Sequence, residues 1–157
     1  LDTKGFTFKT GVRTFEAAAY LRRMGVDPVN IRRLFKTDIR DSVRLSKVIS
    51  SAKIYRDNIA VAVCEDTGKD LQVLVAKAAD ELLNISGIEA SFVIARLGHK
   101  IIISGRSLET VNVQLILERL GGGGHITIAG AQLSNQDMDI ALEQLQKAID
   151  DVLDDRE

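Results

Sequence analysis

The residues best suited to chemistry lie between positions 104 and 125. Gly121 to Gly124 run unbroken into His125, so four of the chain's 12 glycines stand together. Inside ordered structure a glycine costs about 0.5–1 kcal/mol relative to alanine. Such a run is a poor choice for mere connection and makes sense where bare backbone approaches a ligand. Consecutive backbone N–H groups form an anion-binding concavity, and His125 adds a side-chain donor at the same place. The chemistry suggested is the gripping of a phosphate. Upstream, Ser104-Gly105-Arg106-Ser107 and then Asn112 supply hydroxyls, a guanidinium and an amide. These groups suit phosphate, ribose and base edges, and the planar fork of Arg106 can hold a phosphate in a bidentate way. The plainer reading is that Ser107 caps the next helix and Arg106 lies on the surface.

Groups able to break a bond are harder to find. His99 and His125 are the only histidines and fall in different stretches, and Cys64 is the only cysteine. That count excludes a His/Cys metal cluster. His99 reads as a loop-tip residue without a role, and Cys64 as a core residue. Asp137 and Asp139 form a D-x-D, but they open a helix, where acids favour the helix dipole. The glycine run is followed by histidine rather than by Lys-Ser or Lys-Thr, so it is no Walker-type phosphate loop.

At 157 residues the chain is one domain, or one domain with a fragment of another. A hydrophobic content of 45% supports a real core, and a net charge of −1 argues against a strongly basic surface. Long duplex DNA is not the expected partner. One cysteine excludes an internal disulfide and suits a reducing compartment. No apolar run approaches the roughly 20 residues that cross a bilayer, and no signal-peptide pattern is visible. The chain starts at Leu1 without a methionine, which reads as a piece of a longer protein, so nothing here speaks for the parent's membrane segments.

The elements that must position these groups follow from periodicity and stop signals. Leu1 to Arg13 reads as extended or loop. Thr14 is the expected N-cap of a helix over 15–24, with Gly25 as its stop. Asp27-Pro28 restarts a helix that ends near Thr37. A third helix spans Asp38 to Ser51. Ala52 to Arg56 and Ile59 to Glu65 read as a hairpin across Asp57-Asn58, its second strand apolar on both faces and so covered on both sides. Asp70 to Asn84 carries a clear helical stripe. Glu89 to Leu97 and Lys100 to Ser104 pair over Gly98-His99. A helix bearing Val113, Ile116, Leu117 and Leu120 runs into the glycines, 128–133 is a short strand, and Gln136 to Leu153 is the last helix. Asp150, Asp151, Asp154 and Asp155 read as a solvating acidic tail. The order ββ-α-ββ-α-loop-β-α from residue 52 predicts an α/β fold: a mixed five-stranded sheet with packed helices, preceded by an N-terminal helical linker.

Gly121 to His125 with Ala129-Gly130-Ala131, preceded by Arg106-Ser107 and Asn112-Val113, resembles the DHH-associated C-terminal domain of the DHH phosphoesterase superfamily. Leu1 to Asp27 resembles the end of the DHH domain in one branch, the cyclic-di-AMP phosphodiesterases of the GdpP/YybT type. The resemblance implies a tail of the DHH domain and linker helices over residues 1–37 and a substrate-binding domain over 38–157. It also implies a mechanism. In that family two Mn²⁺ ions sit in the DHH domain on Asp and His ligands, and a metal-activated hydroxide attacks a 3′–5′ phosphodiester. The associated domain closes over the site, and cyclic-di-AMP is opened to linear pApA.

Residue by residue, Asp2 matches the last metal-binding aspartate of the DHH domain. Arg106, Ser107, Asn112, Gly122, Gly123, Gly124 and His125 match substrate-holding positions. This chain has no Asp-His-His triplet, and Asp2 alone cannot build a two-metal site. The resemblance therefore implies a substrate-binding part with no catalytic residue of its own, little activity by itself and no manganese without the DHH domain. Its partners would be cyclic-di-AMP or a short nucleotide and that DHH domain, with homodimerisation through hairpin edges left open. Its place would be the cytoplasm, on the cytoplasmic side of a membrane where the parent is anchored. Two alternatives stand beside this: a DHH phosphoesterase acting on short RNA oligonucleotides, and a non-catalytic RNA-binding module like the C-terminal domain of alanyl-tRNA synthetases.

Overall fold

The structure, a computed structural model, describes residue 6 and residues 10–155. The chain divides into two compact units, Leu1–Asp38 and Ile39–Glu157.

The first unit contains α1 (Val12–Arg23) and α2 (Pro28–Leu34). Gly25, at φ 93°, stops α1, and Asp27 accepts from the Val29 N–H at 3.1 Å to cap α2, with Pro28 in the first turn. α1 starts earlier than the sequence predicts. Gly11 takes the extended capping position, and Thr14 lies inside the first turn, its hydroxyl accepting from the Gly11 N–H at 3.4 Å. Neither helix buries a residue among those described.

The second unit begins with α3 (Ile39–Ser50), β1 (Lys53–Tyr55), β2 (Ile59–Cys64) and α4 (Leu71–Leu82). It continues with β3 (Ala90–Leu97), β4 (Lys100–Ser107), α5 (Val113–Glu118), β5 (Gly123–His125), β6 (Ile128–Ser134) and α6 (Met138–Asp154). The strands form one sheet in the order β1-β2-β3-β4-β6-β5. The β2–β3 pair is parallel and the others are antiparallel. The sheet is thus mixed, as expected, but it has six strands rather than five. The sixth is β5, made from the glycine run itself.

Period-two alternation sends each strand's residues into two cores. Ile59, Phe92, Ile94, Ile101, Ile103 and Ala131 face α5 and α6, while Ala60, Cys64, Val93, Ala95 and Ile102 face α3 and α4. β2 is covered on both sides, and burial pushes the Cys64 thiol pKa up, in keeping with a core role. The hairpin into β2 turns one residue earlier than predicted. Positive φ falls on Arg56 and Asp57, and Tyr55 pairs with Ile59 across a three-residue loop. Arg56 is tethered there by Asp150 at 2.8 Å and Asp154 at 3.0 Å. The C-terminal acids are therefore not a solvating tail: Asp151 and Asp155 likewise hold Arg119, at the end of α5, at 3.4 and 2.7 Å.

On the other face, α4 lies over β3 and β4 with Leu71, Leu74, Val75, Ala78, Ala79 and Leu82 buried, as its stripe predicts. The buried Ser91 hydroxyl donates to the Ala79 carbonyl at 2.7 Å and ties this helix to β3. No helix reaches β6 from this side. Along β6, Ala129, Ala131 and Leu133 are buried, and Ile128, Gly130, Gln132 and Ser134 are exposed. One half of the sheet thus keeps an open face beside α4.

Candidate functional site

The open face is where the predicted residues must be tested. β4 alternates along its length, and Ile102, Ser104 and Arg106 share the α4 side. Arg106 pairs laterally with Ile128 on β6, and Ile128 pairs with His125 on β5. Arg106, Ile128 and His125 therefore form one row across three strands, with neighbours about 5 Å apart. Ile128 is 48% exposed between them, and His125 is exposed.

Arg106 is not a loose surface side chain, since its own exposure is 12%. Its Nε donates to Asp80 on α4 at 3.3 Å, and its Nη1 donates to the Ser104 hydroxyl and the Gly105 carbonyl, each at 2.9 Å. Nη2 makes no hydrogen bond among the described residues. The free fork expected from the sequence is thus partly engaged, and one nitrogen with two N–H groups remains for a ligand.

The glycine run divides by function. Gly121, at φ 73°, is the left-handed stop of α5. The Gly122 N–H donates to the Leu117 carbonyl at 2.8 Å and the Gly121 N–H to Glu118 at 3.0 Å, a Schellman closure. A Cβ on Gly122 would strike the Gly130 carbonyl and lie 2.7 Å from the Ala131 Cβ. One on Gly124, at φ 150°, would strike the Ile128 carbonyl and lie 2.6 Å from the Ala129 Cα. Those two glycines let β5 lie against β6. At Gly123 a Cβ would meet nothing within 4 Å. The argument from sequence, that the whole run serves a ligand, holds sterically for Gly123 alone.

Two more predicted residues are engaged within the fold. Ser107 is buried; its hydroxyl donates to the Ile126 carbonyl at 3.3 Å and accepts from the Glu109 N–H at 3.4 Å. It caps no helix and faces away from the open shelf. Asn112 is the N-cap of α5, its side chain accepting from the Leu115 N–H at 3.2 Å. His99 is an exposed loop tip, and Asp137 caps α6 by accepting from Asp139 at 3.1 Å. Asp2 lies outside the described residues.

Sequence reasoning passed over Ser104, Gly130, Gln132 and Gln72. These line a hollow of about 560 Å³ between α4 and the open strands, floored also by Gly122 and walled by Val75 and Ile102. The signal was present: stepping by two from Arg106 gives Ser104, and β6 alternates through Ile128, Gly130 and Gln132. A hollow of this size falls within the range of small-molecule sites.

Among the described residues no group of three or more His, Cys, Asp or Glu could hold a metal ion. The site can bind and orient; it has no cage for a cation.

Comparison with known proteins follows this geometry. The family model described as the DHHA1 domain matches residues 56–155. The chain is 48% identical over 152 residues to "Cyclic-di-AMP phosphodiesterase GdpP" of Geobacillus thermodenitrificans, covering 96% of this chain and 23% of that protein. It is 44% identical over 151 residues to "Cyclic-di-AMP phosphodiesterase PdeA" of Listeria monocytogenes, with the same coverage of 96% and 23%. The chain thus spans about a quarter of these curated relatives. Among solved structures, an exopolyphosphatase-related protein from Bacteroides fragilis superposes with a TM-score of 0.76 at 22% identity, covering 96% of this chain and 46% of that one. That likeness is one of fold.

Proposed function

The chain belongs to the DHHA1 domain family, and from that premise we propose that it is the nucleotide-holding part of a phosphodiesterase that opens cyclic-di-AMP to linear pApA. Identities of 48% and 44% to GdpP and PdeA over nearly the whole chain support the substrate class. The observation that carries the reading is the row Arg106–Ile128–His125 on an uncovered sheet face beside a hollow.

Each residue has a separate task in this reading. The exposed His125 imidazole donates to a phosphate oxygen at the sheet's edge. There β5 also presents backbone groups that no further strand pairs. Arg106 offers Nη2 from a guanidinium fixed on its other side by Asp80. Gly123 lets a ligand approach the backbone closely. Gly122, Gly124, Ser107 and Asn112 act by positioning: they set β5 against β6, tie β4 to residue 126 and start α5.

A manganese centre does not fit the described residues, which supply no ligand cluster. Metal chemistry in the parent would rest on its DHH domain, with Asp2 as this chain's one candidate ligand, and no step is routed through it here. No helix of the described residues is long and apolar enough to cross a membrane, and we place this part on the cytoplasmic side of the parent.

Titration of the chain with cyclic-di-AMP, followed by NMR, tests the reading. Saturable shifts on β5, β6 and Arg106 are expected. His125→Ala should weaken binding about tenfold or more, the loss typical of a hydrogen bond to a charged group. No saturable binding by the wild-type chain, or equal binding by the variant, overturns it.

A further inference from the structure

The hollow beside the row calls for a different occupant from the row itself. Its lining carries no charged side chain: Gln72 and Val75 come from α4, Ile102 and Ser104 from β4, and Gly130 and Gln132 from β6. The floor strands β4 and β6 use their backbone groups in pairing with each other. A phosphate there would find neither a cation nor a run of free N–H groups. A flat ring would find aliphatic walls and a bare peptide floor, because a Cβ on Gly130 would project into open space, meeting only the Ile103 carbonyl at 3.4 Å.

The polar groups at the rim are two amides. Gln132 and Gln72 are both exposed, and neither side chain makes a hydrogen bond among the described residues. A carboxamide presents one donor and one acceptor side by side. That pair matches adenine, whose N7 accepts and whose N6 donates, whereas guanine shows two acceptors along the same edge. Gln132 lies four residues along β6 from Ile128, about 13 Å at the strand rise. A nucleotide bridges such a span with its phosphate at one end and its base at the other.

We propose that the hollow is an adenine subsite, in which Gln132 and Gln72 read the base edge and Gly130 keeps the floor open, while the row of Arg106 and His125 holds the phosphate. This rests on the nucleotide-holding reading above and assigns its base selectivity.

The test compares AMP, GMP and ribose 5-phosphate as probes of the chain by NMR titration. AMP should bind at least fivefold more tightly than either of the others. Gln132→Ala should bring AMP down to the level of ribose 5-phosphate, leaving the latter's affinity unchanged, and Gln72→Ala should narrow the AMP-to-GMP gap. Gly130→Val, whose added atoms meet no backbone clash, should do the same by filling the floor. In the wild-type chain, base protons should show NOEs to the Gly130 Hα and Val75 methyls. Wild-type binding with no AMP preference, or a preference unchanged in both glutamine variants, overturns the subsite and leaves the phosphate grip standing. Failure of the wild-type chain to bind all three probes overturns the nucleotide reading, and the subsite falls with it.

Discussion

Asp80 holds the Nε of Arg106 at 3.3 Å, so a residue of α4 fixes the direction in which a guanidinium of β4 faces the open shelf. This makes Arg106 a pre-aimed donor rather than a flexible one. Arg106→Ala should weaken cyclic-di-AMP binding by about 10- to 100-fold, as for loss of a charge-assisted hydrogen bond. Asp80→Ala should cost a smaller factor. The two losses should not multiply in the double variant, because they report one coupled unit. Arg106→Lys should not rescue, since an ammonium cannot meet Asp80, Ser104 and a ligand from one planar group. Calorimetric titration of the four proteins is the check; strictly multiplicative losses would contradict the pre-aiming.

The glycine run should split in a stability assay. Gly122→Ala and Gly124→Ala collide with the β6 backbone and should each cost about 1–3 kcal/mol, the usual penalty of overpacking. Gly123→Ala meets no atom within 4 Å and should leave the thermal midpoint nearly unchanged while lowering ligand affinity. Melting curves read alongside titrations separate the two roles. Equal destabilisation across all three would contradict the division.

Asn112→Ala removes the cap of α5 and should cost about 0.5–2 kcal/mol. Asn112→Asp retains an acceptor for the Leu115 N–H and should restore most of it. If Asn112 also touches the nucleotide, binding by the Asp variant will fall despite restored stability. Paired urea denaturation and titration distinguish a cap from a contact.

Much of this was legible from periodicity. The apolar stripe of α4, the two-sided burial of β2 and the turn at Gly98-His99 all follow from residue spacing. So does the mixed order of the sheet. The sixth strand was not, because glycines carry no side-chain alternation to mark a strand, and β5 exists only through its contact with β6. Ser107 and Asn112 were drawn into the site by type; the structure gives their polar groups to Ile126, Glu109 and Leu115. Gln72 could not be found, since a helix and a strand far apart in sequence meet at the hollow only through the tertiary fold.

Acid should unfold this protein partly through Asp66. The Arg44 guanidinium, hydrogen-bonded to it at 2.8 Å, and the Gly68 N–H hold its pKa at about 2, below the usual 3.8. A depressed folded-state pKa adds stability that is complete above the unfolded value and is lost as pH falls through the folded one. The loss should therefore run from about pH 4 down to about pH 2. Asp66→Asn should be less stable at neutral pH and show a flatter decline over that window. Chemical denaturation at stepped pH measures both, and an unchanged slope would contradict the assignment.

Because the shelf is written on alternate positions of β6, its tolerance of insertions differs from that of a loop-built site. One extra residue ahead of Gly130 would rotate every following side chain by half a turn. Gln132 would swing into the hydrophobic interior and Leu133 out into solvent. New ligand preferences could then arise through point changes at 128, 130 and 132, whereas length variation would be confined to the connections before β5 and after β6.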